Sequence, residues 1–320
     1  MNYEFCSNFK PYIEGLISQK RAFGFKYTSE EMLLATFDRF CSTHYKDEKQ
    51  LDRSIVMHWA KQIPTEGRNS RNNRVGIVRQ LAKYIASLGL EAYRAPEIGR
   101  EQTKPPHIFT KEELVAFFKA TDQLEQLSAF PVRHLVLPVI FRIIYCCGLR
   151  LAEACNLKCD DINLHTGEVF IRQSKGCNDR IVFLADDVRV LCRRYDSKVS
   201  ETFPLRQWFF PSSDDRPYLK NSICRVFNQI WRQTEFSRKT PIKPTIRCFR
   251  HTFAVNRMNK WIDDGANFEN RLKYLSKYLG HRSAQHTHYY LHFVQSLFPK
   301  FKKMVKDYDH IIPEVSYGQE

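Results

Sequence analysis

Residues 147–157 read CGLRLAEACNL, and they join two helical patterns. Apolar residues at helical spacing predict a helix over 135–147, which Gly148 ends. A second, shorter helix is predicted over 151–157. Glu153 then lies one helical turn after Arg150, where its carboxylate can pair with a cation or orient the arginine. The stretch therefore indicates a sharp turn between two helices, with a charged pair at the start of the second.

The residues on either side of this turn indicate a mainly helical region with one small sheet. Thr110 and Glu113 form a capping-box pattern before a helical run over 114–120. Alternating or β-branched residues over 168–172 and 180–184 predict a β-hairpin, because the connecting residues QSKGCND suit a turn. Further helical patterns lie at 187–195, 220–234, 250–260, 271–279 and 293–305.

An all-helical segment precedes this region. Apolar spacing predicts four helices before residue 95, over 9–18, 29–44, 52–62 and 70–88. Residues 94–106 read RAPEIGREQTKPP, a polar, proline-bearing stretch that indicates a linker. We therefore expect a small helical domain over 1–95, a linker over 96–106 and a second domain over 107–320. The predicted fold class is mainly α, with an α+β second domain that contains a small antiparallel sheet.

The chain is strongly basic. Its 320 residues include 50 Lys and Arg against 35 Asp and Glu, a formal net charge of +15, and the pI is near 9.4. This charge favours a polyanionic partner, with nucleic acid ahead of an anionic membrane surface. The sequence has neither a leader-like start nor a run of about eighteen apolar residues. We expect neither secretion nor membrane insertion, but a cytoplasmic location at the nucleoid.

Two groups of residues have spacings that metal ligands use. Cys155 and Cys159 are spaced like zinc ligands, but no second Cys or His pair lies at finger spacing nearby. Histidines recur between residues 281 and 292, but no carboxylate is interleaved and the segment crosses a predicted turn. The ten cysteines are scattered without a disulfide framework, which favours reduced thiols. We expect neither a metal nor another cofactor.

Basic residues cluster in both halves of the chain. Between residues 61 and 83, arginines, lysines and asparagines accompany Glu66 as the one acid. Donors for phosphate and base edges are concentrated there, which favours DNA contact over a solvated helix face. A basic helix and loop in the second domain favour phosphate or major-groove contact. The predicted DNA-binding residues are Arg68, Arg71, Asn72, Arg74, Arg79, Lys83, Lys220, Arg225, Arg232, Lys239 and Lys243.

Four motifs, in order and at matching spacing, resemble the tyrosine recombinase (phage integrase) family, of the integrase or transposase type. Residues 147–157 are similar to its first signature, SKGCNDR over 174–180 to its lysine-bearing hairpin, and RCFRHTFA over 247–254 to its second box. LGH over 279–281 is followed nine residues later by Tyr290, the position of the family's nucleophile. The resemblance covers nearly the whole chain, and it implies a helical, SAM-like core-binding domain before the catalytic domain.

The resemblance implies an active site for DNA cleavage. In-line attack on a phosphodiester increases the negative charge on the non-bridging oxygens, which fixed guanidiniums stabilise. Arg150 and Arg250 suit this task, because a planar guanidinium can donate hydrogen bonds to two oxygens at once and stays charged. By the resemblance, His281 is a third donor, Tyr290 forms a 3′-phosphotyrosyl link, and Lys175 protonates the departing 5′ oxygen.

Position 247 departs from the family pattern. The second box normally begins with histidine, and arginine can donate to phosphate but cannot accept a proton at neutral pH. Either the general base is dispensable, or water or His281 takes the proton. We expect an active enzyme with Arg247 in the site, Glu153 in a supporting role and a raised pH optimum. Tyr289 is the alternative nucleophile, and Lys175 could be an ordinary turn lysine.

The expected function is site-specific recombination. Rejoining needs neither ATP nor a cofactor, because the covalent link stores the energy of the broken bond. The expected partner is double-stranded DNA with specific recombination sites. We also expect a homo-oligomer, a dimer on one site and a tetramer in synapsis, which could include related recombinase subunits. An amphipathic helix predicted over 293–305 would dock on its own domain or on a neighbouring subunit.

Three other functions compete with the preferred one, which is integration or transposition of a mobile element. The first is Xer-like resolution of a chromosome or plasmid. The second is a DNA-binding accessory protein that has lost catalysis, against which the intact motifs argue. The third is DNA relaxation by a type IB topoisomerase of related fold, against which the separate helical domain and the short chain argue.

Overall fold

In the computed structural model the chain divides into two units, Met1–Lys104 (unit 1) and Pro105–Glu320 (unit 2). Buried hydrophobic clusters lie within each unit, so each has a core of its own. The structure describes residues 3–99, 101, 105–172, 179–264, 268–281 and 283–294, with the exception of the Glu269 side chain.

Helices form the described part of unit 1. They are α1 (Lys10–Ala22), α2 (Thr28–His44), α3 (Arg53–Trp59) and α4 (Arg68–Ser87). Asp52 caps α3, because its carboxylate accepts a 2.9 Å hydrogen bond from the N–H of Ile55. α4 buries Val75, Val78 and Leu81, which recur at helical spacing. One face of α4 therefore belongs to the core of unit 1.

Unit 2 is mainly helical. Its helices are α5 (Lys111–Asp122), α6 (Arg133–Cys146), α7 (Leu151–Cys155), α8 (Asp186–Thr202), α9 (Lys220–Gln233), α10 (Arg247–Asp263), α11 (Phe268–Leu279) and α12 (Gln285–His288). The predicted capping box begins α5. The Thr110 hydroxyl accepts from the N–H of Glu113, and the Glu113 carboxylate accepts from the N–H of Thr110.

The predicted hairpin is present as an antiparallel pair of strands, β1 (Glu168–Ile171) and β2 (Arg180–Phe183). Ile171 lies opposite Arg180 at the end where the strands are connected. Lys175 belongs to the connection over 173–178, which lies outside the described residues. The predicted fold class, mainly helical with a small antiparallel sheet, is confirmed.

The core of unit 2 fixes the position of α10. Phe249 is fully buried, and its ring centroid lies 5.2 Å from that of Phe117 and 5.5 Å from that of Phe227. The next residues of the helix, Arg250 and His251, are also buried. Because aromatic packing holds this part of α10 in place, it is a rigid support for polar side chains.

Some element boundaries differ from the predicted ones. α8 continues beyond the predicted end at Tyr195, because Val199 extends its buried face among polar residues. Of the helix predicted over 293–305, Phe293 ends a 3-10 turn and Val294 is extended, whereas residues 295–305 lie outside the described part of the chain. Among the residues that the structure describes, no helix combines the length and the apolar character needed to cross a membrane.

Candidate active site

The turn between α6 and α7 depends on glycine. Gly148 has a φ of +60°, a left-handed conformation that favours this residue. A Cβ at this position would lie 2.6 Å from the Phe253 ring and 2.9 Å from the Leu279 side chain. The close packing directs the Gly148 carbonyl at Arg250, whose Nη1 donates to it at 2.7 Å. The absence of a side chain thus helps to position a predicted site residue.

Arg150 is held immediately before α7. Its Nη1 donates to Glu153 Oε1 at 2.7 Å, and its Nη2 donates to the carbonyl of Gly280 at 2.7 Å. The backbone N–H of Arg150 donates to Glu153 Oε2 at 2.8 Å. The side chain remains 27% exposed. Arg150 is therefore fixed in orientation and still accessible to an anion.

Arg180, at the start of β2, completes this part of the site. Its Nη1 and Nη2 donate to the two oxygens of Glu153 at 3.0 and 2.8 Å, and its Nε donates to the carbonyl of Tyr278 at 2.7 Å. Burial raises the pKa of the Glu153 carboxyl, but the hydrogen bonds and charge of Arg180 and the hydrogen bonds from Arg150 outweigh this effect, so the net pKa is below its ordinary value. Glu153 is therefore an ionised bridge between two arginines.

Arg250 is buried in α10 and is tied to two turns. Besides its bond to Gly148, its Nη2 donates to the carbonyl of Leu279 at 2.5 Å. Burial and the neighbouring charge of Arg150 lower the pKa of Arg250 to about 10, so the guanidinium is still charged at neutral pH. Two cations are thus held close together by acceptors that belong to the fold.

Positive charge predominates in the site. Arg150, Arg180 and Arg250 lie around the single carboxylate of Glu153. The charge of Arg247 acts on the same region, because it lowers the pKa of His251 and opposes the rise in the pKa of Tyr290. Guanidiniums with unused N–H groups bind phosphate oxygens well, often two at a time. The arrangement therefore suits an anion with several oxygens.

His281 follows α11 as a neutral imidazole. Its Nδ1 lies 2.7 Å from the hydroxyl oxygen of Thr287, which is fully buried. Burial and the charges of Arg250 and Arg150 lower the pKa of His281 to about 3. When the Thr287 hydroxyl donates to Nδ1, the ring proton is on Nε2, which can then donate to an anion.

Tyr290 lies beside these groups in the same chain. Its side chain is buried, its Oη is 3.1 Å from Nδ1 of His251, and its ring stacks on that of His281 with centroids 6.1 Å apart. Burial raises the pKa of the Tyr290 phenol, whereas the charges of Arg250 and Arg247 oppose this rise. The structure thus brings a phenolic hydroxyl to the cationic cluster.

The remaining predicted site residues have other positions. Tyr289, the alternative nucleophile, is 38% exposed, and its ring packs on Phe293 with centroids 5.4 Å apart. Arg247 is exposed at the first position of α10. Lys175 lies outside the described residues, so its place relative to Tyr290 stays a prediction.

The basic residues of α4 divide into two groups. Arg74 is buried and pairs with Glu66 at 2.7 Å, and it also donates to backbone carbonyls of Trp59 and Lys61. This corrects the prediction of a DNA contact for Arg74, because its guanidinium is used inside unit 1. Arg71 donates to the Ala60 carbonyl, and Arg79 donates to the carbonyls of Ala95 and Pro96. In unit 1, the exposed members of the predicted set are Arg68 and Lys83.

The second predicted DNA-binding set lies on α9 and in the residues after it. Lys239 forms an exposed ion pair with Glu235 at 3.1 Å. The buried residues of α9 are Ile223, Phe227, Ile230 and Trp231, so its basic side chains point away from the core. The exposed residues of this set are Lys220, Arg225, Arg232, Lys239 and Lys243.

The groups with metal-like spacing do not form a ligand cluster in the part of the chain that the structure describes. No set of three or more His, Cys, Asp or Glu side chains is suitably arranged there. The rings of His281 and His286 lie near each other, with centroids 5.9 Å apart.

Sequence reasoning missed three residues that line the site. A signal existed for His251, because Ala254, Val255 and Met258 follow it at helical spacing and predict a buried face. A buried imidazole on such a face needs a polar partner. For Arg180 and Thr287 the local sequence carries no comparable signal, because tertiary packing brings their partners to them.

A tyrosine hydroxyl beside clustered guanidiniums suits an enzyme that transfers DNA strands, because it can attack a phosphate that the cations bind. The sequence profile described as "Phage integrase family" matches residues 107–296, more than half of the chain. The chain therefore belongs to the phage integrase family, and it is a tyrosine-type DNA recombinase.

Individual relatives agree with this assignment. The integrase/recombinase y4rE of Sinorhizobium fredii is 26% identical over 287 residues, which cover 87% of this chain and 90% of the relative. Tyrosine recombinase XerA of Pyrococcus furiosus is 28% identical over 225 residues, 67% of each chain. The fold is similar to a structure of the Tn1549 transposon integrase in complex with transposon right end DNA. The TM-score is 0.60 at 15% identity, over 87% of this chain and 94% of that one.

Proposed function

We propose that this recombinase cleaves one DNA strand at a specific site by forming a 3′-phosphotyrosyl link to Tyr290. The observation that carries the proposal is the position of the Tyr290 hydroxyl, buried beside His251 and within the field of Arg250 and Arg247. A hydroxyl in such a place can attack a phosphate that the cations hold.

The cations stabilise the transition state of this reaction. Arg150 and Arg250 donate to the non-bridging oxygens of the scissile phosphate, and Nε2 of His281 adds a third donor. Fixed donors of this kind need no reorganisation when negative charge develops, so they lower the barrier more than water does. The two carbonyl-lined turns and Glu153 keep the guanidiniums in place before DNA arrives.

Strand cleavage then leaves a recoverable intermediate. The bond from Tyr290 Oη to phosphorus forms as the bond to the 5′ oxygen breaks, and Lys175 gives that oxygen a proton. The reverse attack by a 5′ hydroxyl rejoins the strand and frees Tyr290. The energy of the phosphodiester is kept in the phosphotyrosyl bond, so the chain itself needs no nucleotide cofactor.

Double-stranded DNA is the proposed partner, and both units contact it. The exposed residues Arg68 and Lys83 of α4 border a helix face that also presents Asn72 and Asn73. A groove of about 490 Å³ on this side is lined by Asn72, Asn73 and Lys83 together with Ser29 of α2. In unit 2 the exposed basic side of α9 suits phosphate contact.

The proposed domain roles follow from this division. Residues 1–95 form a core-binding domain, residues 96–106 a linker, and residues 107–320 the catalytic domain. Recombination exchanges strands between paired sites, so we propose a dimer on one site and a tetramer in synapsis. Because the protein acts on DNA, we propose that it is located at the nucleoid.

We propose integration or transposition of a mobile element as the biological role. Support comes from the match to the integrase/recombinase y4rE, which covers 90% of that relative, and from the fold of the Tn1549 transposon integrase. Xer-like resolution is the second candidate, favoured by the 28% identity to the tyrosine recombinase XerA. A catalytically silent accessory protein is disfavoured, because the motif residues Arg150, Arg250, His281 and Tyr290 are all present.

Covalent trapping tests the proposal. The full chain first selects binding sites from random duplex DNA. A nick is then placed beside the cleavage position of the selected site, so that cleavage releases a short fragment. Rejoining fails because the 5′ hydroxyl leaves with that fragment. We expect wild type and Tyr289→Phe to accumulate a covalent protein–DNA adduct, whereas Tyr290→Phe binds the site without forming one. A normal adduct yield from Tyr290→Phe, or no adduct from wild type on any selected site, would contradict the proposed reaction.

A further inference from the structure

His251 touches the proposed nucleophile. It follows Arg250 in α10, and its Nδ1 lies 3.1 Å from Tyr290 Oη, with the two ring centroids 5.4 Å apart and tilted by 58°. Both side chains are buried in the core that α10 forms with α11 and the turn after α12. An imidazole nitrogen is therefore at hydrogen-bond distance from a hydroxyl that has to lose its proton during attack.

Other groups around Tyr290 are less suited to take this proton. Arg247 and Arg250 offer donors only, because a guanidinium has no acceptor at neutral pH. His281 stacks on the Tyr290 ring at an interplanar angle of 25°, and its Nδ1 is paired with Thr287. A stacked ring presents its face to the phenol, whereas proton transfer needs a nitrogen in the plane of the ring.

We propose that His251 is a catalytic residue whose Nδ1 accepts the phenolic proton of Tyr290 as Oη bonds to phosphorus. This inference rests on the proposed function. The Oη–phosphorus bond forms, the bond from phosphorus to the 5′ oxygen breaks, His251 becomes an imidazolium, and the 5′ oxygen takes a proton from Lys175. Rejoining reverses each transfer, and Tyr290 recovers its proton from His251.

The charge state of His251 fits this role. Burial and the charges of Arg247 and Arg250 lower the pKa of the ring to about 4, so it is neutral and can accept a proton at pH 7. Such a ring is a weak base in the absence of DNA. A bound phosphate places negative charge beside the same two cations and offsets their effect, which makes His251 a stronger base once substrate is in place.

The role also accounts for the departure at position 247. The family pattern that this chain resembles begins its second box with a histidine, where this chain has Arg247. His251 lies one helical turn further along α10 and supplies an imidazole to the same hydroxyl. The proton acceptor is thus kept while the first position of the box gives one more cation to the phosphate site.

The test measures adduct formation by His251→Gln and Lys175→Ala on a nicked site selected by the full chain. Each variant is combined with a more acidic nucleophile at position 290 or with a substrate whose leaving group needs no acid. We expect His251→Gln to bind DNA as wild type does and to form the adduct about 100-fold more slowly or worse. Replacing Tyr290 with 3,5-difluorotyrosine, a more acidic phenol, should reduce this loss to roughly tenfold, since base catalysis matters less as the phenol becomes more acidic.

Lys175→Ala is the matched control. Its slower adduct formation should return to the wild-type rate on a substrate with sulfur at the bridging 5′ position, because that leaving group needs no acid. With difluorotyrosine at position 290 the rate should remain low. The loss in His251→Gln should show the opposite pattern. Equal cleavage rates for His251→Gln and wild type, or an equal loss with tyrosine and difluorotyrosine, would overturn the role of His251 and leave the reaction of Tyr290 intact.

A measurement on the wild-type chain covers the case in which His251→Gln does not fold. Nitrogen-15 NMR of the histidine side chains should show the His251 ring with its proton on Nε2, and the Nδ1 signal should shift in Tyr290→Phe. A proton on Nδ1 would overturn the inference, because that nitrogen could not then accept one. Absence of an adduct in wild type would instead mark a failure of the proposed function itself.

Discussion

At the scale of single residues, Glu153 orients the arginines of the proposed site and does not itself contact DNA in the proposed reaction. It accepts four hydrogen bonds, two from the side chain of Arg180 and two from Arg150. Cations that are packed together repel one another, and a buried carboxylate offsets that repulsion only while it is ionised and fully paired. Glu153 therefore links the stability of unit 2 to the geometry of the proposed phosphate site.

Removal of this carboxylate should destabilise the protein. We expect Glu153→Ala to lower the free energy of unfolding by about 3–5 kcal/mol at pH 7, because it leaves the buried Arg180 without its partner. Asp122→Ala is the matched control. Arg142 and Asp122 form the same two-bond geometry near the surface, and such pairs contribute about 0–1 kcal/mol.

Urea unfolding followed by tryptophan fluorescence measures both values, since three of the four tryptophans lie in unit 2.

The dependence of the Glu153 stabilisation on pH has a definite sign. The folded-state pKa of Glu153 is below its ordinary value, so its stabilisation is complete above the unfolded pKa of about 4.3 and is lost as the pH falls through the folded pKa. The difference between wild type and Glu153→Gln should therefore shrink in acid. A difference that grows in acid, or a loss no larger than that of Asp122→Ala, would contradict this account.

At the scale of elements, α4 separates residues that hold the fold from residues that suit DNA contact. Arg74 lies on the same helix face as Ile77, Val78 and Leu81, which are buried. Its guanidinium stacks on Trp59 at 4.8 Å and pairs with Glu66. Lys83 belongs to the exposed face. Basic residues of α4 thus have two roles: on the buried face they stabilise unit 1, and on the exposed face they are available to DNA.

The two faces predict opposite outcomes for two substitutions. We expect Lys83→Ala to keep the melting temperature of wild type, to weaken DNA binding, and to reduce the slope of log K against log salt by about one. Arg74→Ala should lower the stability by about 2–5 kcal/mol, because it removes a buried guanidinium that pairs with the partly exposed Glu66 and donates to the carbonyls of Trp59 and Lys61. Calorimetry and titrations of labelled DNA at several salt concentrations measure these effects. Unchanged salt dependence in Lys83→Ala, or unchanged stability in Arg74→Ala, would be inconsistent with the assignment of the two faces.

The sequence predicts local features of these elements well and their tertiary contacts poorly. Hydrophobic periodicity, the Thr110 capping box and the β-hairpin depend on neighbours in sequence, and all three are confirmed. The burial of Arg74 had a signal in the apolar residues that follow it at helical spacing. The contact of Arg180 with Glu153 had none, because 27 residues separate them in the chain and only the fold brings them together.

At the scale of the whole molecule, the chemistry is assembled from distant parts of unit 2. The turn before α7, the start of β2 and the first turns of α10 contribute arginines, the turn after α11 contributes the neutral His281, and Tyr290 follows α12. Motif order along the chain predicts which residues take part, whereas it does not predict that backbone carbonyls of Gly148, Leu279 and Gly280 orient the guanidiniums. The central claim is that this assembly makes Tyr290 the residue that carries the cleaved strand.

The most direct test identifies the atom that becomes linked to DNA. Wild-type protein is reacted with a nicked selected site, the adduct is digested with protease and nuclease, and the peptide that retains nucleotide is sequenced by mass spectrometry. The account predicts a phosphodiester on Tyr290, joined to the 3′ end of the cleaved strand. A nucleotide on Tyr289 or on any other residue, or a link through the 5′ end, would contradict it.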